Sequence, residues 1–291
     1  MKIKNTIFVL LLSCVIFNIP AFAKSPVWRI SKDRNHVFIG GTIHVLSKSD
    51  YPLPEAFDSA FNNSNLLVLE ADMQKLQTPE FQKAILQDAM YKGEESIADF
   101  LKPNTLQALK NHLTSRGIPF EQMLKFKPGL LSVTLTMVEL QRLGQVGTGV
   151  DEFYNLKALN ERREIKYLET ASDQLKFIAE MGEGAENEFI NYTLVDLKDI
   201  SEQLQSLKTA WKTGDNNQMQ KITIAPWKDR FPKIYNSLVV ERNNKWIPQI
   251  ETMLKTKEVE LVLFGTLHLI GEEGILLQLK KLGYTIENIE K

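Results

Sequence analysis

The sequence predicts an α/β fold: a single domain with a mixed, largely parallel central sheet and helical insertions. Three observations predict it. Short apolar strands alternate with helical stretches along the chain. Leu66-Leu67-Val68-Leu69 and Leu261-Val262-Leu263-Phe264 are unbroken apolar runs, as expected of strands covered on both faces with parallel neighbours. No linker-like change of composition and no solenoid-length repeat divides the chain.

The first element is a leader. Lys2 and Lys4 precede an apolar run from Thr6 to Ile19, Pro20 breaks it, and Ala21-Phe22-Ala23 offers a small-x-small cleavage site. The pattern predicts a signal peptide over residues 1–23 and a mature domain over 24–291, exported to the periplasm or secreted. The run is shorter than the roughly 20 residues of a spanning helix, so no integral membrane span is expected after cleavage. Lipid attachment at Cys14, after Leu11-Leu12-Ser13, is the alternative; the apolar run continuing through Val15-Ile16-Phe17 argues against it. Cys14 is the one cysteine of the chain. Without it the mature domain has no thiol nucleophile, cysteine-based metal site or disulfide.

Strands at Val27–Ile30 and Val37–Ile39 flank a polar turn and read as a hairpin. Pro54 to Phe61 reads as a short helix with proline in its first turn, followed by the apolar strand that ends at Glu70. From Thr78 to Gly144 the pattern is helical, punctuated by Pro103, Pro119 and Pro128. A glycine-rich loop over Gly144–Gly149 precedes a helix at Glu152–Arg163, with Asp151 in the capping position. That loop lacks the Lys-Ser/Thr ending of a phosphate loop. Ile165–Leu168 is a strand ending at Glu169, and Asp173 to about Leu254 forms a second helical block interrupted near Pro226 and Pro232. The Leu261–Phe264 strand, a helix at Gly274–Leu282 and a strand at Tyr284–Ile289 complete the fold.

Charge and composition narrow the function. Lys plus Arg total 35 and Asp plus Glu 36, so no global cationic field exists to hold a nucleic acid. With 43% hydrophobic and 24% charged residues, disordered, collagenous and multi-span classes fall away. The chain also lacks a Gly-x-Ser-x-Gly elbow and a His-Glu-x-x-His helix.

What carries chemistry is an internal echo. Val37-Phe38-Ile39-Gly40-Gly41-Thr42-Ile43-His44 matches Leu261-Val262-Leu263-Phe264-Gly265-Thr266-Leu267-His268, each an apolar strand ending in Gly-Thr-x-His. The chain has four histidines, and two of them end this motif. Ligands of open α/β sheets bind beyond the carboxyl ends of the strands. If the two strands are neighbours, His44 and His268 converge there as candidate metal ligands. Glu70 and Glu169 end two further strands, and Asp72 follows close behind, able to cap a helix or, the better reading, to orient a ligand as a supporting acid. Two imidazoles and a carboxylate suit a divalent ion such as zinc, manganese, cobalt or iron with a position open for water. A lone histidine after a strand is more often a packed core residue; the duplication is what sets His44 and His268 apart. His36 and His112 have no companion motif and read as structural or exposed.

The paired Gly-Thr-x-His motifs, together with Leu67-Val68-Leu69-Glu70, resemble the TraB/GumN family, also called the TraB/PrgY/Tiki group. Gly149-Val150-Asp151, Leu168-Glu169-Thr170 and Glu241-Arg242-Asn243 extend the likeness, which covers about Val27 to Ile289. Members similar to this chain carry two Gly-x-x-His motifs with an essential glutamate and arginine. The resemblance therefore implies His44, His268 and Glu70 as ligands of Mn, Co or Zn, and Glu70 and Arg242 as catalytic groups. The Tiki branch cleaves peptides with a metal, and other branches take part in pheromone shut-down. Two departures bear on packing or pocket shape: Pro128-Gly129 lacks an aromatic often found after that proline, and Trp246 replaces a smaller or flexible apolar residue.

The expectation is an exported metal-dependent hydrolase of peptide or amide bonds. Glu70 completes the metal shell or acts as general base, and Arg242 stabilises an oxyanion or grips a substrate carboxylate. Glu169 is an additional ligand or supports one. The competing expectations are an envelope protein that sequesters a peptide, haem or metal without turnover, and a structural partner with no metal at all.

Overall fold

The computed structural model describes residues 25–290; the expected leader, with Cys14, lies outside them. β1 (Val27–Lys32) and β2 (Asn35–Thr42) pair antiparallel around Asp33-Arg34, forming the expected hairpin. β3 (Val45–Leu46), α1 (Glu55–Asn62) and β4 (Leu66–Leu69) follow. The first insertion contains α2 (Met73–Leu76), α3 (Pro79–Asp88), α4 (Pro103–Thr114) and α5 (Pro128–Arg142). α3, α4 and α5 each open on proline, whose missing N–H is harmless at that position.

β5 (Gly147–Thr148), α6 (Val150–Asn160) and β6 (Ile165–Tyr167) lead to the second insertion. This comprises α7 (Ala171–Glu180), α8 (Glu186–Asp196), α9 (Ile200–Thr213), α10 (Asn216–Thr223), α11 (Ala225–Arg230), α12 (Pro232–Tyr235) and α13 (Glu241–Met253). A π-helical turn over Asn236–Val240 joins α12 to α13. β7 (Glu260–Gly265), α14 (Ile275–Lys281) and β8 (Thr285–Asn288) close the fold. No described helix is long and apolar enough to cross a membrane.

The main sheet runs β6-β4-β7-β2-β1-β8. The first four strands are mutually parallel, and β1 alone runs against them, pairing antiparallel with β2 on one side and β8 on the other, so the sheet is mixed and largely parallel as the sequence predicts. β4 and β7 are buried along their whole length. Phe57 and Phe61 of α1, Tyr154 of α6, Trp211 of α9 and Trp246 of α13 join them in one apolar core. A second core unites the two insertions, with Leu109 of α4 and Leu131 of α5 against Phe189 of α8 and Ile234 of α12.

One boundary needs correction. The helix expected at Glu152–Arg163 spans Val150–Asn160, and Gly149 rather than Asp151 holds its cap position. It stops because Arg162 adopts a φ of 55°, after which the Arg163 guanidinium bonds the carbonyls of Phe61 and Ser64. For the site, direction matters most. Parallel strands end at one edge, so Glu169, Glu70, His268 and His44 follow the ends of four successive neighbours, β6, β4, β7 and β2.

Candidate active site

β2 and β7 pair with Thr42 opposite Gly265, so the two Gly-Thr-x-His motifs lie side by side, staggered by one residue. Past β7 the chain tightens into a 3-10 turn over Thr266–His268, which buries the His268 ring completely. His44 follows β2 without such a turn, and its side chain keeps 62% of its surface exposed. The two rings nevertheless border one small space. A Cβ placed on Gly265 would stand 3.4 Å from His44 Nε2, 3.4 Å from Glu70 Oε1 and 3.9 Å from His268 Cδ2.

Each ring has its Nδ1 tied from behind. Asp151 Oδ2 lies 2.8 Å from His44 Nδ1, while Thr42 Oγ1 donates to Asp151 Oδ1 at 2.6 Å. The threonine of the first motif thus steadies the acid that orients its histidine. This contact depends on Gly149, where any Cβ would come within 2.2 Å of the His44 carbonyl oxygen. For His268 the partner is an amide: Nδ1 lies 2.8 Å from Asn243 Oδ1. Asn243 Nδ2 donates to the carbonyls of His268 and Glu273, which fixes the amide's orientation. His268 Nδ1 must then carry the proton, leaving a lone pair on Nε2.

Arg242 spans the acidic side. Its Nε and Nη2 donate to the two oxygens of Glu169 at 3.0 and 2.7 Å, a fork-to-fork pairing. Nη2 also donates to Glu70 Oε2 at 2.5 Å, and Nη1 lies 3.1 Å from His268 Nε2. The other Glu70 oxygen accepts the Gly265 N–H at 2.6 Å. Trp246, one helical turn after Arg242, lies with its ring 4.6 Å from the guanidinium carbon and 4.5 Å from the His268 ring.

These contacts drive the titration of the two histidines apart. The Asp151 carboxylate outweighs desolvation and raises His44 to about 9. Burial dominates at His268 and lowers it to about 3, keeping the ring neutral. Burial opposes ionisation of Glu70, but Arg242, the histidines and the Gly265 amide overcome it and hold the acid at about 2.

Glu70, Glu169, His44, His268 and Arg242 therefore meet in one cluster. Asp72 does not join it: its carboxylate accepts the N–H groups of Gln74 and Lys75 and caps α2, correcting the supporting role expected for it. Three participants escaped sequence reasoning. Asp151 has the pattern of a helix cap, an acid between a glycine loop and a helix. Asn243 drew notice only beside Arg242 in a motif, and Trp246 only as a departure; neither signalled contact with His268.

Divalent cations fit this donor set on ligand chemistry, once His44 gives up the Nε2 proton it holds below about pH 9: two imidazoles with Nδ1 tied away, and a carboxylate held ionised beside them. The cluster is also built around positive charge, since the guanidinium already lies against Glu70, Glu169 and the His268 lone pair. Among the described residues no three such side chains stand in a coordinating arrangement. Arg242 must give up its place at His268 Nε2 before that nitrogen can ligate.

The fold and site define an α/β protein with a histidine–carboxylate–arginine centre at the ends of parallel strands. The sequence profile of the TraB/PrgY/gumN family matches residues 26–288, and the chain belongs to that family. It is similar to "Uncharacterized protein YbaP" of Escherichia coli (strain K12), with 24% identity over 254 residues, 82% of this chain and 86% of that protein. The Shigella flexneri protein of the same name matches with the same identity and coverage. No solved structure matches.

Proposed function

We propose that the chain is an exported hydrolase of peptide or amide bonds that works with a divalent cation, Mn, Co or Zn. Support comes above all from the space beside Gly265, bordered by His44 Nε2, Glu70 Oε1 and the His268 ring. Export rests on the leader pattern of residues 1–23. His44, His268 and Glu70 would hold the cation. When bound, it supplies a Lewis acid and an activated water near neutral pH.

The remaining roles belong to the chain itself. Glu70, ionised by its two donors, serves better as an anionic ligand than as general base, because a carboxylate of such low basicity takes a proton poorly. Arg242, once its Nη1 leaves His268, presents a cation to the negative charge that develops on a substrate carbonyl oxygen. Glu169 sets the plane of that guanidinium, while Asp151 and Asn243 direct the imidazoles. His44, the exposed member, faces the incoming substrate.

The test is peptide hydrolysis by purified protein, with added metal and with chelator. Activity is expected to need the ion and to fall at least ~100-fold in His44→Ala and in His268→Ala, the scale of losing a main catalytic group. Undiminished hydrolysis in both variants would falsify the proposal. A second reading, capture of a peptide, haem or metal without turnover, draws on one observation: Arg242 closes on both acids and on His268 Nε2. It predicts saturable binding with no cleavage across a broad peptide library.

A further inference from the structure

Two cavities adjoin the cluster. One of about 410 Å³ reaches Glu169 and Arg242 and extends along α7 and α13. The other, about 190 Å³, reaches His44 and Glu70. Its wall is mostly apolar, formed by Leu69, Ala71, Met73 and Leu76 with the amide of Gln174. The charges nearby are already engaged. Asp72 is turned to the α2 amides, and Asp151 at the cavity edge is held by Thr42 and His44. A recess with a mostly apolar wall and a charged mouth suits an apolar side chain whose backbone stays at the mouth.

Size narrows the occupant. Cavities that enclose whole drug-sized ligands run from roughly 300 Å³ upward. An aliphatic cavity of about 150 Å³ accepts a group the size of benzene. The small recess therefore has room for one side chain, and the larger cavity for the neighbouring residues. We infer that the recess beside His44 is a specificity pocket for a leucine- or methionine-sized side chain next to the scissile amide. The substrates are thus peptides with a medium apolar residue at that position. The inference rests on the hydrolase reading for the word scissile, but the pocket itself can be tested by binding alone.

The experiment measures both. Short blocked peptides that differ only at one residue (Leu, Met, Ala, Asp, Lys or Trp) are titrated calorimetrically into the full protein and, separately, assayed for cleavage. Leu and Met peptides are expected to exceed the Ala peptide by about 10–200-fold, as for a pocket that gains or loses methylenes. Leu76→Trp, which fills the recess, reduces that preference to within about 3-fold, while Met73→Ala, which widens it, shifts preference toward Trp. Two variants of opposite sense separate pocket shape from simple misfolding. Equal binding of all the peptides, or a preference that neither variant moves, overturns the inference. Selective binding with no cleavage upholds the pocket and overturns the hydrolase reading instead.

Discussion

Asp151 and Asn243 each take the Nδ1 of one site histidine, and the difference between a carboxylate and an amide sets the two rings apart. Asp151→Asn removes the charge that stabilises the His44 imidazolium while leaving a group of the same shape. The His44 pKa is expected to fall from about 9 toward its ordinary 6.5, as read by NMR titration of the ring. An unmoved titration would remove Asp151 from the account. At His268 the corresponding change is Asn243→Ala, which strands a buried N–H and two carbonyl partners. It should cost about 1–3 kcal/mol or more in urea unfolding, the penalty of a buried polar group left unpaired. A variant as stable as the parent would mean that the amide contributes nothing there.

Three elements hold those residues in place: the loop entering α6, helix α9 and helix α13. The loop approaches β2 so closely that Gly149→Ala collides with the His44 carbonyl. About 1–3 kcal/mol of destabilisation is expected, as for other overpacked contacts, with a displaced His44. Helix α9 braces the site from two directions. Trp211 Nε1 donates to the Gly41 carbonyl at 2.7 Å, and buried Lys208 pairs with Asp50 at 2.5 Å while also donating to Gln145 in the glycine loop. Lys208→Ala leaves Asp50 buried beside the more exposed Lys212 and should cost about 3–5 kcal/mol in denaturant unfolding. A loss under about 1 kcal/mol would show that water readily replaces the lysine. Helix α13 follows directly on a π-helical turn, a feature often found at functional sites. Arg242 and Trp246 then stand one turn apart and meet His268 together.

Across the whole molecule, the buried charges make acid stability predictable. Glu70 lies at about 2 when folded and near 4.5 when unfolded, so its contribution is present above 4.5 and disappears as pH falls toward 2. Asp50 acts in the same direction: burial opposes its charge, but Lys208 and Ser47 hold it well below the usual carboxylate range. Neutral, buried His268 costs stability from pH 6.5 down to about 3, where the unfolded chain binds a proton that the folded ring refuses. His44 has the opposite sign, losing its contribution between 6.5 and about 9, and its exposure to water makes that term small. Urea unfolding across pH should therefore show stability falling steadily below pH 6.5. A flat profile from pH 7 to 3 would contradict these assignments.

Much of this architecture was legible in the sequence. An unbroken apolar run marks a covered strand, and parallel strands share an end, so Glu70, Glu169, His44 and His268 could be placed together before any contact was seen. Asp151 and Asp72 share the local pattern of an acid before a helix, so sequence pattern does not tell their roles apart. Which of them caps depends on what lies across the fold, and only Asp151 finds a threonine and a histidine there. Trp246 is illegible for a similar reason: its partners come from its own helix and from a strand end further on in the chain.

The central claim is that two distant Gly-Thr-x-His motifs deliver their Nε2 atoms to one cation beside Glu70. It is tested most directly by anomalous diffraction from crystals grown with Mn²⁺ or Zn²⁺. One strong peak within bonding distance of both His44 Nε2 and His268 Nε2, lost in His268→Ala, is the predicted result. A peak held elsewhere, or the Arg242 guanidinium still against His268 Nε2 at saturating metal, would contradict it.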